Sequence, residues 1–508
     1  MQLSKDIIGR IVAKPGVEIP DAKLFELPEK VLQFGTGVLL RGLPDFFIDK
    51  ANKQGLFNGR VVMIKSTDSD SSAFDTQDGL YTICTRGIED GVKVEENIVN
   101  SSVSRVLSAK TDWQRILECA HNPEMKIIIS NTTEVGIQLV QDDVTSQPPI
   151  SFPGKLLAFL YERYKAFNGS KASGMIIIPT ELITDNGSKL ESIVLELAHL
   201  NQLEFEFIEW LESQNTFCNS LVDRIVPGKP KEAECITLEN SLGYEDELLI
   251  KTEVFRLWAI EGTEKVKDLL SFRYADEGVV ITPDINIYKE LKLRLLNGTH
   301  SFNCGIAFLS GFNLTRDAVE DKLFSTFIKK LVYDEISAAI NYDISRDVKE
   351  EFASKVLDRF GNPFIDHQWL SITVQYTTKM KMRNVDLLLN HYSNNKTAPV
   401  YMSVCFAGFI LFMKSVRTEA GKYYGVRNGV EYEIVDEKAE FFYQAWKNSA
   451  PEKIAEVVLS NEELWETDLS LLPGFLQMVR ATLLDMINFG VFETVKEVLT
   501  NNVSLNEA

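Results

Sequence analysis

Residues 31–34 (VLQF) pass without a break into Gly35-Thr36-Gly37 and then into 38–50, whose apolar side chains recur at helical spacing. A strand, a glycine turn and a helix in immediate succession constrain the fold strongly. The turn has to be tight, and its backbone N–H groups at the helix N-terminus suit a pyrophosphate. Residues 61–65 form the next strand candidate. The runs KIIIS at 126–130 and MIII at 175–178 are continuously apolar, as strands covered on both faces require. Such strands alternate with longer amphipathic stretches, which predicts crossover helices, a parallel sheet and a Rossmann-like α/β domain. The usual third glycine position holds Leu40, so the dinucleotide fingerprint is incomplete, and the turn alone also fits a plain strand-to-helix bend. Where an acid normally holds the NAD ribose, the second strand ends in Lys65, Ser66 and Thr67, with Asp68 and Asp70 beyond. Lys65 reads either as an NADP-type contact or as a solvated strand end.

A chain of 508 residues exceeds what one core can hold, because cores stop growing near about 250–300 residues. The pattern changes near residue 286, which predicts a Rossmann-like dinucleotide-binding domain over 1–285 and a mostly α-helical substrate-binding domain over 286–508. Residues 317–333, 348–360, 399–416, 437–448 and 452–459 carry apolar side chains at i, i+3 and i+4, and only 432–435 reads as a strand. A net charge of −20 repels a phosphate backbone, which excludes nucleic acid as a partner; an anionic small molecule remains compatible, since local cations act within the screening length of about 10 Å. Six cysteines lie scattered without a CxxC pair, as expected of reduced thiols in a cytoplasmic protein. The first twenty residues lack the apolar core of a signal peptide. The longest apolar run, 398–413, contains Pro399 and Ser403 and falls short of the roughly 20 residues a membrane span needs, so a buried helix and no membrane partner are expected.

The densest chemistry lies in 287–304, IYKELKLRLLNGTHSFNC. On an α-helix, at about 100° per residue, His300 and Asn297 fall about 80° and 140° from Lys292, so the three share one flank. Oxidising a secondary alcohol calls for a base to take the hydroxyl proton and donors to hold the developing oxyanion. A lysine desolvated in a pocket can serve as the base, with Asn and His as the donors. A second reading fits the same residues: Lys292 on a solvated face, Asn297-Gly298 as a helix C-cap, and His300 in the core or at the surface.

The spacing Lys292-x4-Asn297-x2-His300 resembles the signature of the polyol-specific long-chain dehydrogenases, the mannitol dehydrogenase family. Gly35-Thr36-Gly37-Val38-Leu39-Leu40-Arg41 resembles that family's GxGxxxR loop. Gln77-Asp78-Gly79-Leu80-Tyr81, Thr133-Glu134-x-Gly136 and Val222-Asp223-Arg224-Ile225 resemble three further family segments, and Asn362-Pro363 and Lys379 fit its C-terminal region. The likeness runs from about residue 30 to the end, with the motifs in family order.

The resemblance implies an NAD-dependent, metal-independent oxidoreductase with Lys292 as general base and Asn297 and His300 as the oxyanion-holding pair. It implies NAD contacts along Val31, Leu32, Gln33, Phe34, Gly35, Thr36, Gly37, Val38, Leu39, Leu40, Arg41 and Gly42, with Asp78, Thr133 and Glu134. It places Asp223 near the catalytic lysine on the substrate side, with Lys379 and Arg383 as candidate partners of a substrate carboxylate. His367 and His391 read as structural. Two departures bear on the substrate: Leu182 stands where the family has an asparagine beside the substrate, and Ser371 where polyol dehydrogenases have an arginine. Both speak against a simple mannitol or arabinitol pocket. Segments such as PTELI at 179–183, HNPEM at 121–125 and SNTTE at 130–134 resemble the tagaturonate-reducing branch more than the fructuronate or mannitol branches. The expectation is therefore a small-molecule hexuronate/aldonate substrate. Fructuronate or polyol dehydrogenase activity is the alternative within the class, and a non-catalytic sugar or nucleotide sensor the alternative outside it.

Overall fold

The apolar runs assemble into one parallel sheet. In the computed structural model β1 (Glu29–Phe34), β2 (Arg60–Lys65), β3 (Val103–Ser108), β4 (Ile127–Ser130), β5 (Ile176–Pro179) and β6 (Thr216–Phe217) lie in the order β3-β2-β1-β4-β5-β6. Every neighbouring pair is parallel. Alternation along the strands sorts side chains between two cores: Leu32, Val62, Ile128 and Ile177 enter one, and Val31, Val61, Ile127, Ile129, Ile176 and Ile178 the other. Because both faces are covered, the strands carry no polar alternation. The chain steps outward from β1 to β3 and then returns to β4 beside β1, which makes the β1–β4 junction the switch point of a doubly wound sheet.

The helix expected over 38–50 is divided. α1 (Val38–Gly42) stops at Leu43, whose φ −131° and ψ −75° are not helical, and α2 (Pro44–Lys53) restarts at the proline. Pro44 brings no N–H and its ring disfavours helical geometry in the residue before it, so the break is local chemistry.

The structure describes residues 1–506 apart from 12, 13, 68, 69 and 134, with side chains to 501. The chain divides into two units, Met1–Gly87 with Lys93–Ile285 and Ile88–Val92 with Asn286–Ala508. The second is mainly helical, with Arg346–Phe360, Val400–Phe412, Ala439–Asn448, Pro451–Leu459 and Phe475–Phe489 among its longer helices. The single helix expected across 317–333 is instead Thr315–Glu320, then Lys322–Lys330, then a π-helix, Leu331–Ile336. Asp321, at ψ 121°, interrupts the first two and caps the second by accepting from Phe324 N at 2.8 Å. The strand expected at 432–435 is Val430–Ile434 in a three-stranded antiparallel sheet with Arg417–Glu419 and Lys422–Arg427. Arg417–Glu419 is short and polar, and Gly425 interrupts the side-chain alternation of Lys422–Arg427, so no hydrophobic pattern announced either. Val400–Phe412 is buried along almost its whole length, and among the described residues no helix is long and apolar enough to cross a membrane. All six cysteines are free and buried.

Candidate active site

Gly35 ends β1 with φ +126°, and a Cβ there would stand 2.8 Å from Leu40 Cδ1 and 3.0 Å from the Asn131 carbonyl, on β4's side of the switch point. Gly37 caps α1 and faces open space. A Cβ on Gly42 would meet Thr252 and Val226 at 3.0 Å, so this glycine lets α1 pack closely. The close-packing role of the third glycine therefore falls at Gly42, and Leu40 is free to seal the underside of Gly35.

The side chains expected along the cofactor segment fall into buried and accessible groups. Val31, Leu32, Phe34 and Leu40 are sealed in the core, so their side chains support the turn and cannot reach a ligand. Gln33 is equally buried; its amide donates to Asp45 Oδ2 (3.2 Å) and to the Gly35 carbonyl (3.4 Å). The Tyr81 hydroxyl donates to the Arg41 carbonyl (3.1 Å) and to Asp45 Oδ2 (3.4 Å). Arg41 turns inward, donating to the Leu248 carbonyl at 2.7 Å over the rings of Phe74 and Tyr81. Thr36, Gly37, Val38 and Leu39 remain accessible at the turn. Asp78, at φ +54°, accepts from Lys5 N (2.9 Å) and so ties down the N-terminal segment. Thr133 is exposed and its carbonyl accepts from Gly136 N; Glu134 and Asp68 lie outside the described residues. Lys65 donates to Ser71 Oγ at 3.4 Å.

Glu181 was not anticipated. Its buried carboxylate accepts from Thr132 N (2.8 Å), Thr132 Oγ1 (3.0 Å) and Ser130 Oγ (3.1 Å), which fixes the turn after β4, and burial raises its pKa. An acid directly after the apolar run IIIPT was the only sequence signal for it. Asp223 ends the strand Ser220–Asp223, buried, opposite Leu257. Arg224 beside it donates to the carbonyls of Gly42 (2.5 Å) and Glu253 (3.0 Å).

In the second unit Lys292, Asn297 and His300 lie on one continuous helical stretch, but its register is not the expected one. Asn286–Leu291 is α-helical, Lys292–Gly298 is a π-helix and Thr299–Leu309 is α-helical again. With i→i+5 bonding, residues five apart stack as residues four apart do in an α-helix, which draws Asn297 round toward Lys292. The C-cap reading of Asn297-Gly298 fails, because the helix continues through both. Lys292 and Asn297 are half-buried. The Asn297 carbonyl accepts from Ser301 Oγ (3.0 Å) and Arg383 Nη1 (3.3 Å), while its side-chain amide makes no hydrogen bond to any described residue.

His300 stacks on Phe360 (centroids 4.2 Å apart) and meets the edges of His367 (4.9 Å) and Trp369 (6.3 Å). Its Nε2 is sealed without a hydrogen-bond partner among the described residues. Burial, with His367, Arg359, Arg383 and Lys379 nearby, holds the imidazole well below its ordinary pKa, so it is neutral near pH 7. A neutral ring and an amide are uncharged donors, suited to an oxygen that gains charge during reaction. His367, read from the sequence as structural, belongs to this cluster; no spacing rule links it to His300. His391 bonds locally, its Nε2 donating to the Thr397 carbonyl at 3.0 Å.

Arg383 also donates to Ser301 Oγ at 2.9 Å, and Lys379 to the Ile372 carbonyl at 2.8 Å. Burial lowers the pKa of both, and Arg383 lowers that of Lys379 further. Two cations held close together in this way form a natural place for an anion. Of the two departures, Leu182 is exposed in the first unit, and Ser371 is exposed in the second, donating to the Gln368 carbonyl. Among the described residues no group of three His, Cys, Asp or Glu side chains is arranged to hold a metal.

Residues 29–272 match the mannitol dehydrogenase Rossmann domain and 284–487 the mannitol dehydrogenase C-terminal domain. The chain is 36% identical to an altronate oxidoreductase of Halalkalibacterium halodurans over 489 residues, 94% of each chain. It is 36% identical to that of Escherichia coli K12 over 481 residues, 93% of this chain and 97% of the relative. Among solved structures, Pseudomonas fluorescens mannitol 2-dehydrogenase, in a ternary complex with NAD and D-mannitol, aligns with a TM-score of 0.62 at 22% identity, covering 98% of this chain and all of that one. A substrate-free D-sorbitol dehydrogenase aligns with a TM-score of 0.74 at 19% identity, covering 97% of this chain and all of that one.

Proposed function

The chain belongs to the mannitol dehydrogenase family, and from this we propose that it is an NAD-dependent dehydrogenase interconverting D-altronate and D-tagaturonate. The observation that carries the chemistry is the Lys292, Asn297 and His300 set on one helical stretch, with Arg383 bound to the same stretch and Lys379 beside it. The substrate follows from the altronate oxidoreductases, which resemble the chain over nearly their whole length.

The glycine turn fits a dinucleotide: Gly35 admits no Cβ, and Gly37 opens on free space at the switch point. The backbone at Gly35, Thr36 and Gly37, with Val38, Leu39 and Thr133, would hold NAD, which when bound accepts or returns the carbon-bound hydrogen with its electron pair. In oxidation the Lys292 amine takes the hydroxyl proton as the carbonyl forms; in reduction it returns that proton to the oxygen. Asn297 and His300 hold the oxygen while it carries charge. Lys379 and Arg383 pair with the substrate carboxylate, which a neutral ketose lacks. The free, buried cysteines support a reducing, cytoplasmic setting.

Initial rates with NADH on tagaturonate, fructuronate and fructose test the substrate. A clear preference for tagaturonate is expected, and an overwhelming preference for fructose rejects the uronate assignment. Lys292→Ala is expected to lose turnover while retaining NADH binding; unchanged activity in that variant rejects the mechanism.

A further inference from the structure

Two π-helices face each other in the second unit, Lys292–Gly298 with the proposed base and Lys381–Val385. They approach closely: a Cβ on Gly298 would lie 3.0 Å from Asn384 Oδ1. Each sends one arginine to the other. Arg294 Nη1 donates to the carbonyls of Met382 (3.3 Å) and Arg383 (2.8 Å), both within the second π-helix. Arg383 in turn donates to the carbonyl of Asn297 and to Ser301 Oγ, at and just beyond the end of the first. Arg294 is anchored at its remaining nitrogens by Glu290 Oε2 (3.1 Å) and Asp386 Oδ2 (2.8 Å).

π-Helical segments are rare because their hydrogen-bond register is less favourable than the α-helical one, and they persist where the surroundings hold them. A guanidinium is suited to that task, since its planar fork can serve two carbonyls and two carboxylates at fixed angles. Two residues along the helix from Lys292, Arg294 points to the opposite flank, where it lines a cavity of about 290 Å³ with Glu290, Tyr342, Asp386 and Asn390. Its guanidinium nitrogens are taken up there by Glu290, Asp386 and the carbonyls of Met382 and Arg383.

We propose that Arg294 is a positioning residue, locking the π-register that sets Lys292 and Asn297 five residues apart on one side of the helix. If the lock is released, the stretch can relax to α-helical register, which swings Asn297 away from Lys292 while leaving the glycine turn of the first unit untouched. The inference rests on Lys292 being the base.

The test compares Arg294→Met, Arg294→Lys and Lys292→Ala in the full-length enzyme, with kcat for tagaturonate reduction expressed per NADH-binding site titrated by fluorescence. That normalisation removes any effect of a smaller folded fraction. The expected result is an NADH Kd within about twofold of the parent and a normalised kcat lowered about 100-fold in Arg294→Met, as a displacement of about 1 Å can produce. Arg294→Lys, which keeps the charge but not the fork, is expected to fall between the two, and it decides the matter if Arg294→Met does not fold. A normalised kcat within about threefold of the parent in Arg294→Lys and in any folded Arg294→Met overturns the proposal. Retained turnover in Lys292→Ala would instead reject the base assignment, so the two failures are distinguishable.

Discussion

Asp45 is sealed behind the glycine turn, where burial raises its carboxyl to about 7 despite the donors from Gln33 and Tyr81. Its folded value exceeds the ordinary carboxylate value near about 4, so folding favours the protonated form. The molecule is then most stable with respect to this group below about pH 4 and loses that contribution as pH rises through about 7. Asp45→Asn, which stays neutral, is expected to gain Tm relative to the parent progressively between pH 5 and pH 8. A difference in Tm that stays constant over this range would show that Asp45 does not titrate there. Gly35 supplies a second residue-scale prediction. Its φ of +126° and the 2.8 Å and 3.0 Å contacts of a Cβ mean that Gly35→Ala displaces the turn from Asn131. NADH Kd should rise at least about tenfold with little change in kcat at saturation; an unaltered Kd would remove the turn from the cofactor site.

At the scale of elements, the buried helix Val400–Phe412 depends on a neighbour for its N-terminus. Pro399 at the cap offers no side-chain acceptor, and Glu335 supplies one instead, taking hydrogen bonds from Tyr401 N (2.9 Å) and Met402 N (2.7 Å). Burial raises the Glu335 carboxyl to about 7, which the helix N-terminus only partly offsets. Glu335→Ala leaves two buried N–H groups unpaired and is expected to cost about 2–5 kcal/mol of stability, whereas Glu335→Gln retains one acceptor and should cost less. Chemical denaturation of the two variants measures the difference, and equal losses would show that the acceptor is not what the helix needs. Glu335 itself lies in a π-helix, Leu331–Ile336, just beyond residue 333 where the helical spacing of the sequence ends.

Over the whole molecule, the net charge of −20 opposes an anionic substrate at long range, while Lys379 and Arg383, the carboxylate partners proposed above, would attract it at short range. Salt screens the distant repulsion more effectively than the close pairing. Raising ionic strength from about 10 mM to about 150 mM is therefore expected to lower KM for tagaturonate modestly and to leave KM for a neutral ketose unchanged. A KM for tagaturonate that rises with salt would mean that the local cations dominate even at long range.

The parallel sheet, the strand-to-helix glycine turn and the helical second half were all determined by the sequence, because each rests on local periodicity or on backbone freedom that one residue type confers. Pro44 even carried the break between α1 and α2, although periodicity alone ran through it. What tertiary structure decided was the direction in which side chains point and the register in which the helix winds. Arg41 turned inward to the Leu248 carbonyl, more than two hundred residues away in sequence. Glu181 reached back to Thr132, and His367 came to the edge of His300. The π-register at Lys292 exists alongside an arginine exchange between segments nearly ninety residues apart, and hydrophobic spacing within either segment is blind to that exchange. Local pattern encodes which face of an element is apolar; only the packed molecule fixes which partner each buried polar group finds.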